Sequence, residues 1–184
     1  MIASVDVTGI RIETERLILS PWKETDLEDF YAYARVEGVG EKAGWNHHRS
    51  MEESCSILDM FIREKKTLAL EWKENGKVIG SIGLEPRDPG LDERMQGREI
   101  GYVLSKDYWG RGLMPEAVNA VIGYCFEKLQ FDYLTCGHFD HNDRSRRVVE
   151  KCGFRFLRKE VTHTVRGVEE QGKLYVMFHP HKEI

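Results

Sequence analysis

The chain has 184 residues, 41% hydrophobic and 32% charged, which is ordinary for a globular protein and enough to bury a core. A net charge of −4 and a pI near 6.0 argue against a general binder of nucleic-acid backbones. No run is apolar enough to cross a membrane, and Met1–Asp6 lacks the blocks of a secretion signal, so one cytoplasmic domain over 1–184 is expected. Cys55, Cys125, Cys136 and Cys152 form no C-x-x-C pair, so reduced buried thiols are expected, with no metal site.

Residues 10–20 read as a strand through Ile10, Ile12, Leu17, Ile18 and Leu19. Thr25-Asp26-Leu27-Glu28 has capping-box spacing and predicts a helix from Asp26 to Arg35. Gly38–Arg49 reads as a loop, with solvated histidines at His47 and His48. Ser50-Met51-Glu52-Glu53 is a second capping box and opens another helix. Strands follow at Thr67–Lys73 and Lys77–Glu85, joined by Asn75-Gly76, two residues that tolerate positive φ and so predict a tight hairpin.

Pro86–Gly97 reads as an exposed loop and Arg98–Ser105 as a strand, with Ile100, Tyr102 and Leu104 on one face and Glu99, Gly101 and Val103 on the other. Then comes Tyr108-Trp109-Gly110-Arg111-Gly112-Leu113-Met114-Pro115, between that strand and a helix predicted over Pro115–Leu129. Glycines let backbone N–H groups converge, and a helix N-terminus adds unpaired donors, so this turn is either an anion cradle or a plain connection. It lacks the spacing of a P-loop or of G-x-G-x-x-G. Asp132–His138 predicts a strand and Asn142–Lys151 a short helix, with Gly153 suited to the left-handed position after it. Phe154–Val165 and Val168–Phe178 predict a closing hairpin through Arg166-Gly167. Helices between strands and hairpins at both ends predict a mixed α/β sheet.

A second stretch narrows the choice: Asn142-Asp143-Arg144-Ser145-Arg146-Arg147-Val148-Val149-Glu150-Lys151-Cys152-Gly153-Phe154. Paired with Tyr108-Trp109-Gly110-x-Gly112, it resembles the GNAT family of acetyl-CoA-dependent N-acetyltransferases. With Thr14-Glu15-Arg16-Leu17 and Glu99-Ile100-Gly101-Tyr102, the chain is most similar to the branch that acetylates N-termini of ribosomal proteins (RimJ/RimL-like), over roughly residues 10–178. Asp107 and Ser20 depart from that branch's pattern. The resemblance implies the GNAT fold, a mostly antiparallel mixed sheet with helices on both faces and a central splayed strand pair.

It also implies the site. Acetyl-CoA would lay its pyrophosphate on the N–H groups of Gly110, Arg111, Gly112, Leu113 and Met114, with Arg111 supplying charge. Pantetheine would lie along Tyr102, Val103 and Leu104, and an N–H near Val103 would face the thioester oxygen. Glu99 is the candidate base, His138 and His141 its rivals, and a plain ion-pair partner the alternative. Asn142 would touch pantetheine and Ser145 would protonate the departing thiolate; as structural residues they would be the N-cap and first turn of their helix. Arg144, Arg146 and Arg147 would meet the 3′-phosphate or form a solvated face, and Trp45 would line the acceptor pocket. The implied activity is direct acetyl transfer to a primary amine, favouring a protein N-terminal α-amine, by a monomer or homodimer with no metal and no nucleic-acid or membrane partner. A small-molecule amine, or a non-catalytic acyl-CoA-binding module, are the alternatives.

Overall fold

The computed structural model describes residues 1–182. Its strands are β1 (Ile12–Glu13), β2 (Leu17–Pro21), β3 (Thr67–Trp72), β4 (Lys77–Glu85), β5 (Gly97–Leu104), β6 (Tyr133–Phe139), β7 (Arg155–His163) and β8 (Glu169–Phe178). The helices are α1 (Leu27–Ala34), α2 (Met51–Glu64), α3 (Leu113–Glu127) and α4 (Asp143–Lys151). The strands make one sheet in the order β1-β2-β3-β4-β5-β6-β8-β7. All neighbours are antiparallel except β5 and β6, which are parallel because α3 carries the chain back between them.

Strand alternation divides the core between the two faces. Leu68, Leu70, Ile100 and Leu104 pack with Leu113, Val118, Val121 and Cys125 of α3 and Val149 of α4. Ala69 and Val103 point the other way, into a cluster with Trp22, with Phe30 and Tyr33 of α1, and with Leu58 of α2. Thus α3 and α4 cover one face, and α1 and α2 the other.

Several local expectations change. The strand over 10–20 is two strands, because the chain turns at residues 14–16 and Ile12 pairs with Leu19. The first capping signal is displaced: the Lys23 N–H donates to Asp26 Oδ2, and a 3-10 turn, Glu24–Asp26, leads into α1. The second holds in part. Ser50 caps α2 by accepting from the Glu53 N–H, but the Glu53 side chain accepts from the Arg49 N–H.

The β3–β4 connection is a four-residue loop, residues 73–76, in which Gly76 alone takes positive φ (71°) and Asn75 Oδ1 accepts from the Lys77 N–H. Loop 38–49 contains a 3-10 turn, Gly40–Ala43. His48 is buried there, its N–H bonded to the Ala34 carbonyl and its Nδ1 2.7 Å from Ser54 Oγ. Helix α3 starts two residues before Pro115, which is harmless because the first turn's N–H groups have no helical partner. Three cysteines are buried; Cys55 is exposed.

Candidate active site

The site begins where the sheet comes apart. The Ser105 N–H donates to the Ile79 carbonyl, and the β4–β5 register carries this pattern back along β5. Odd residues of β5 therefore exchange hydrogen bonds with β4, and even residues face β6. Pairing with β6 ends at Ile100–Cys136, although both strands continue. The backbone of Tyr102 and Leu104 then faces a gap. The Leu104 carbonyl accepts from Trp109 Nε1 at 2.8 Å. The N–H and C=O of Tyr102 and the N–H of Leu104 remain, a strand edge suited to pairing with an amide-bearing chain. The N–H of Val103 is turned to Ser81 on β4, so the N–H groups near Val103 that face the gap are those of Tyr102 and Leu104.

A cleft of about 440 Å³ runs through this gap. Of the expected site residues, Glu99, Tyr102, Val103, Leu104, Gly110, Gly112, Leu113, Met114, Asn142 and Ser145 line it. Arg111 does not; its guanidinium lies over the Tyr108 ring, 5.1 Å from the centroid. Positive charge at the donor end comes from Arg144, Arg147 and Lys151, one face of α4 at helical spacing. Arg144 also stacks on Trp109, at 4.7 Å. Arg146 turns away to Asp143 and Glu150.

Two left-handed glycines shape the cradle, Gly110 (φ 76°) and Gly112 (φ 75°), and Gly112 is the N-cap of α3. The first helical bond runs from Glu116 N–H to Gly112 C=O, so the N–H groups of Leu113 and Met114 have no helical partner. An arginine clamp absent from the expected site fixes the loop. Arg16 Nη1 donates to the Arg111 carbonyl at 2.9 Å, and Arg16 Nη2 lies 2.7 Å from Glu116 Oε2. Glu116 Oε1 accepts from the Thr14 hydroxyl (2.6 Å) and the Arg16 N–H (2.9 Å). Burial raises the Glu116 carboxyl's pKa, but the bonds from Thr14 and Arg16 outweigh it and hold it low. Glu116→Ala leaves these donors without their acceptor, and about 1–3 kcal/mol of stability is expected to go. A depressed carboxyl stabilises the fold above its unfolded pKa and ceases to as pH falls through its folded one. The melting-temperature deficit of Glu116→Ala should thus be full at pH 6 and shrink toward pH 3; a deficit independent of pH would refute the clamp.

At the middle of the cleft, Tyr102 Oη lies 2.8 Å from Ser145 Oγ. Burial holds the Tyr102 phenol well above its usual pKa, so it stays protonated. Asn142 caps α4 by accepting from the Ser145 N–H, while its Nδ2 donates to the Lys42 carbonyl, tying α4 to the Gly40–Ala43 turn.

Across the sheet, Glu99 and Glu160 line the cleft beside the glycines at 101, 137 and 172. Burial raises the Glu99 carboxyl above the usual range; Arg87 opposes this, and Glu160 and Glu85 add to it. Arg87 Nε is 2.9 Å from Glu99 Oε2, yet no donor is aligned on that buried oxygen for a hydrogen bond. The rival histidines are engaged. His138 Nδ1 donates to the Phe139 carbonyl, which leaves Nε2 to accept from Tyr175 Oη at 3.3 Å. His141 lies outside the lining and contacts Glu170. Trp45 is also outside it, packed on Gly40 and His48.

An amide-pairing strand edge, a helix-terminal anion cradle and a basic helix face suit a pantetheine diphosphate, and a buried carboxylate beyond them suits an amine. Fold and site define an acyltransferase that uses an acyl-coenzyme A. The chain belongs to the GNAT acetyltransferase family, matching the Acetyltransferase (GNAT) domain over residues 16–155, and is an acetyl-CoA-dependent N-acetyltransferase. It is 28% identical over 148 residues to the N-acetyltransferase YoaA of Bacillus subtilis, covering 78% of this chain and 81% of that one. In fold it is similar to a GNAT-family acetyltransferase from Bacillus anthracis, with a TM-score of 0.80, 19% identity, and 92% and 99% of the two chains covered. It is likewise similar to the ribosomal-protein-S5-alanine acetyltransferase from Vibrio fischeri, with a TM-score of 0.70, 18% identity and 96% and 100% covered.

Proposed function

We propose that this enzyme, working as one cytoplasmic domain, acetylates a protein N-terminal α-amine such as that of a ribosomal protein. The observation that carries the reading is one cleft lined on one side of the strand gap by the Tyr102–Ser145 pair and on the other by the buried Glu99 carboxylate. The resemblance at Thr14–Leu17 and the Vibrio fischeri fold relative support the choice of acceptor. The free thiols, three of them buried, support a reducing compartment.

Acetyl-CoA supplies the activated thioester. The amine nitrogen attacks the thioester carbon, the C–N bond forms and the C–S bond breaks. Glu99 takes the proton lost by the amine, through a water. The N–H groups of Tyr102 and Leu104 hold the oxyanion. Ser145 gives its proton to the departing thiolate and regains one from solvent entering the cleft, while the protonated Tyr102 hydroxyl holds it in place. Thiolates leave readily, so Ser145→Ala is expected to lower kcat by less than about 100-fold, with KM for acetyl-CoA little changed. An unaltered kcat would remove Ser145 as acid.

The test is release of free CoA thiol with peptides bearing N-terminal alanine or serine, spermidine, and an aminoglycoside. Turnover of peptides alone is expected. Turnover of the small amines alone would move the acceptor to that class. CoA binding without thiol release would leave a binding module.

A further inference from the structure

Loop 86–96 between β4 and β5, read from the sequence as an exposed loop, delivers a guanidinium to the acceptor end of the cleft. Arg87 Nε lies 2.9 Å from Glu99 Oε2, and Arg87 Nη2 donates to Glu160 Oε2 at 2.5 Å. All three side chains line the cleft. The loop is pinned a second time where Arg158 Nη1 donates to the Pro89 carbonyl, and Arg158 Nη2 lies 3.7 Å from the same Glu160 oxygen. We propose that Arg87 is the positioning residue of Glu99: anchored on Glu160, it fixes the Glu99 carboxylate at the acceptor end of the cleft. This role rests on Glu99 taking the acceptor's proton.

The charges around Glu99 give the reason. Glu85 faces it from β4 and Glu160 from β7; β6 contributes the Cys136 thiol, neutral because burial holds its pKa far up, and Gly137, which has no side chain. Lys66 lies against Glu85 at 2.7 Å and Arg158 against Glu160 at 3.7 Å, so Arg87 is the cation of this set in contact with Glu99 itself. Without it, burial and the nearby carboxylates would hold the Glu99 proton more tightly and leave less of the ionised form to accept one. A guanidinium can serve two carboxylates through separate nitrogens in one rigid plane. A lysine offers a single charged nitrogen, so it would keep the charge and lose the second anchor.

The test is a carboxyl-carbon NMR titration of glutamate-labelled protein, with Glu99→Gln identifying the Glu99 signal, alongside the pH dependence of kcat/KM for an alanine-terminated peptide. In Arg87→Met the Glu99 midpoint is expected to rise by about one pH unit or more, with a smaller rise in Arg87→Lys. The acid limb of kcat/KM should move with it, while KM for acetyl-CoA stays unchanged. An unmoved midpoint in a folded Arg87→Met protein overturns the proposal. Should that variant fail to fold, Arg87→Lys keeps the charge and loses the second anchor, so its Glu99 midpoint should still rise, by less; there too an unmoved midpoint overturns it. A midpoint that moves while the acid limb stays put overturns the base role of Glu99 and supports Arg87's hold on it.

Discussion

Glu99→Gln lowers kcat by about 100- to 1,000-fold at pH 8, the scale of a lost general base. The substitution keeps the shape of the side chain and one oxygen, so packing beside the glycines at 101 and 137 is preserved, and what goes is the ability to take a proton. The pH dependence separates this from a structural loss. Burial, aided by Glu160 and Glu85, lifts the Glu99 carboxyl above the ordinary range against the pull of Arg87. A base works in its ionised form. The wild-type rate therefore falls as pH falls through that raised value, whereas Glu99→Gln lacks this limb. The two rates diverge above it and converge below it. Thiol release followed from pH 5 to 9 with one fixed amine cancels the amine's own titration. A constant ratio across that range would remove Glu99 as the base and return it to the role of ion-pair partner.

Gly112→Val weakens CoA binding at least about tenfold by calorimetry. Gly112 sits at φ 75° as the N-cap of α3. An L-residue in the left-handed region costs about 1–2 kcal/mol, and a β-branched one fits worst. The chain escapes that strain by rotating the turn, which swings the N–H groups of Leu113 and Met114 out of line with the anion they would hold. A loss of 1.4 kcal/mol is already a factor of ten in affinity. Gly112→Ala, with a Cβ that would sit 3.7 Å from Arg16 Nη2, meets the same backbone penalty with little crowding and should lie between the two. Unchanged affinity in a folded Gly112→Val protein would place the pyrophosphate elsewhere.

Most residues expected at the donor side line one cleft because they are contiguous in the chain. The turn Tyr108–Met114 and the helix start Asn142–Ser145 are local structures with local rules: left-handed glycines, unpaired N–H groups and a side-chain N-cap. Arg111 is the exception. It lies within the motif, but the fold spends its carbonyl on Arg16 and its guanidinium on Tyr108, and α4 supplies the charge at the donor end. The turn at 75–76 and the first capping box were misread for a related reason: each has a suitable residue pair, and the pairing partner, a strand register or a preceding 3-10 turn, lies outside the motif.

Period and turn chemistry act within a few residues, and they were enough to read the mixed sheet, the run of elements along the chain, the glycine turn before α3 and the side of β5 on which Glu99 stands. Where β5 and β6 part, which N–H groups the parting leaves unpaired, and that Arg87, Glu99 and Glu160 meet depend on contacts between segments distant in the chain. Those three residues come from a loop and two strands, and Arg87 and Glu160 are 73 residues apart in the chain. Charges so far apart in sequence carry no periodic signal. They find one another only after the sheet has closed around them, when burial makes an unpaired charge costly enough to fix the arrangement.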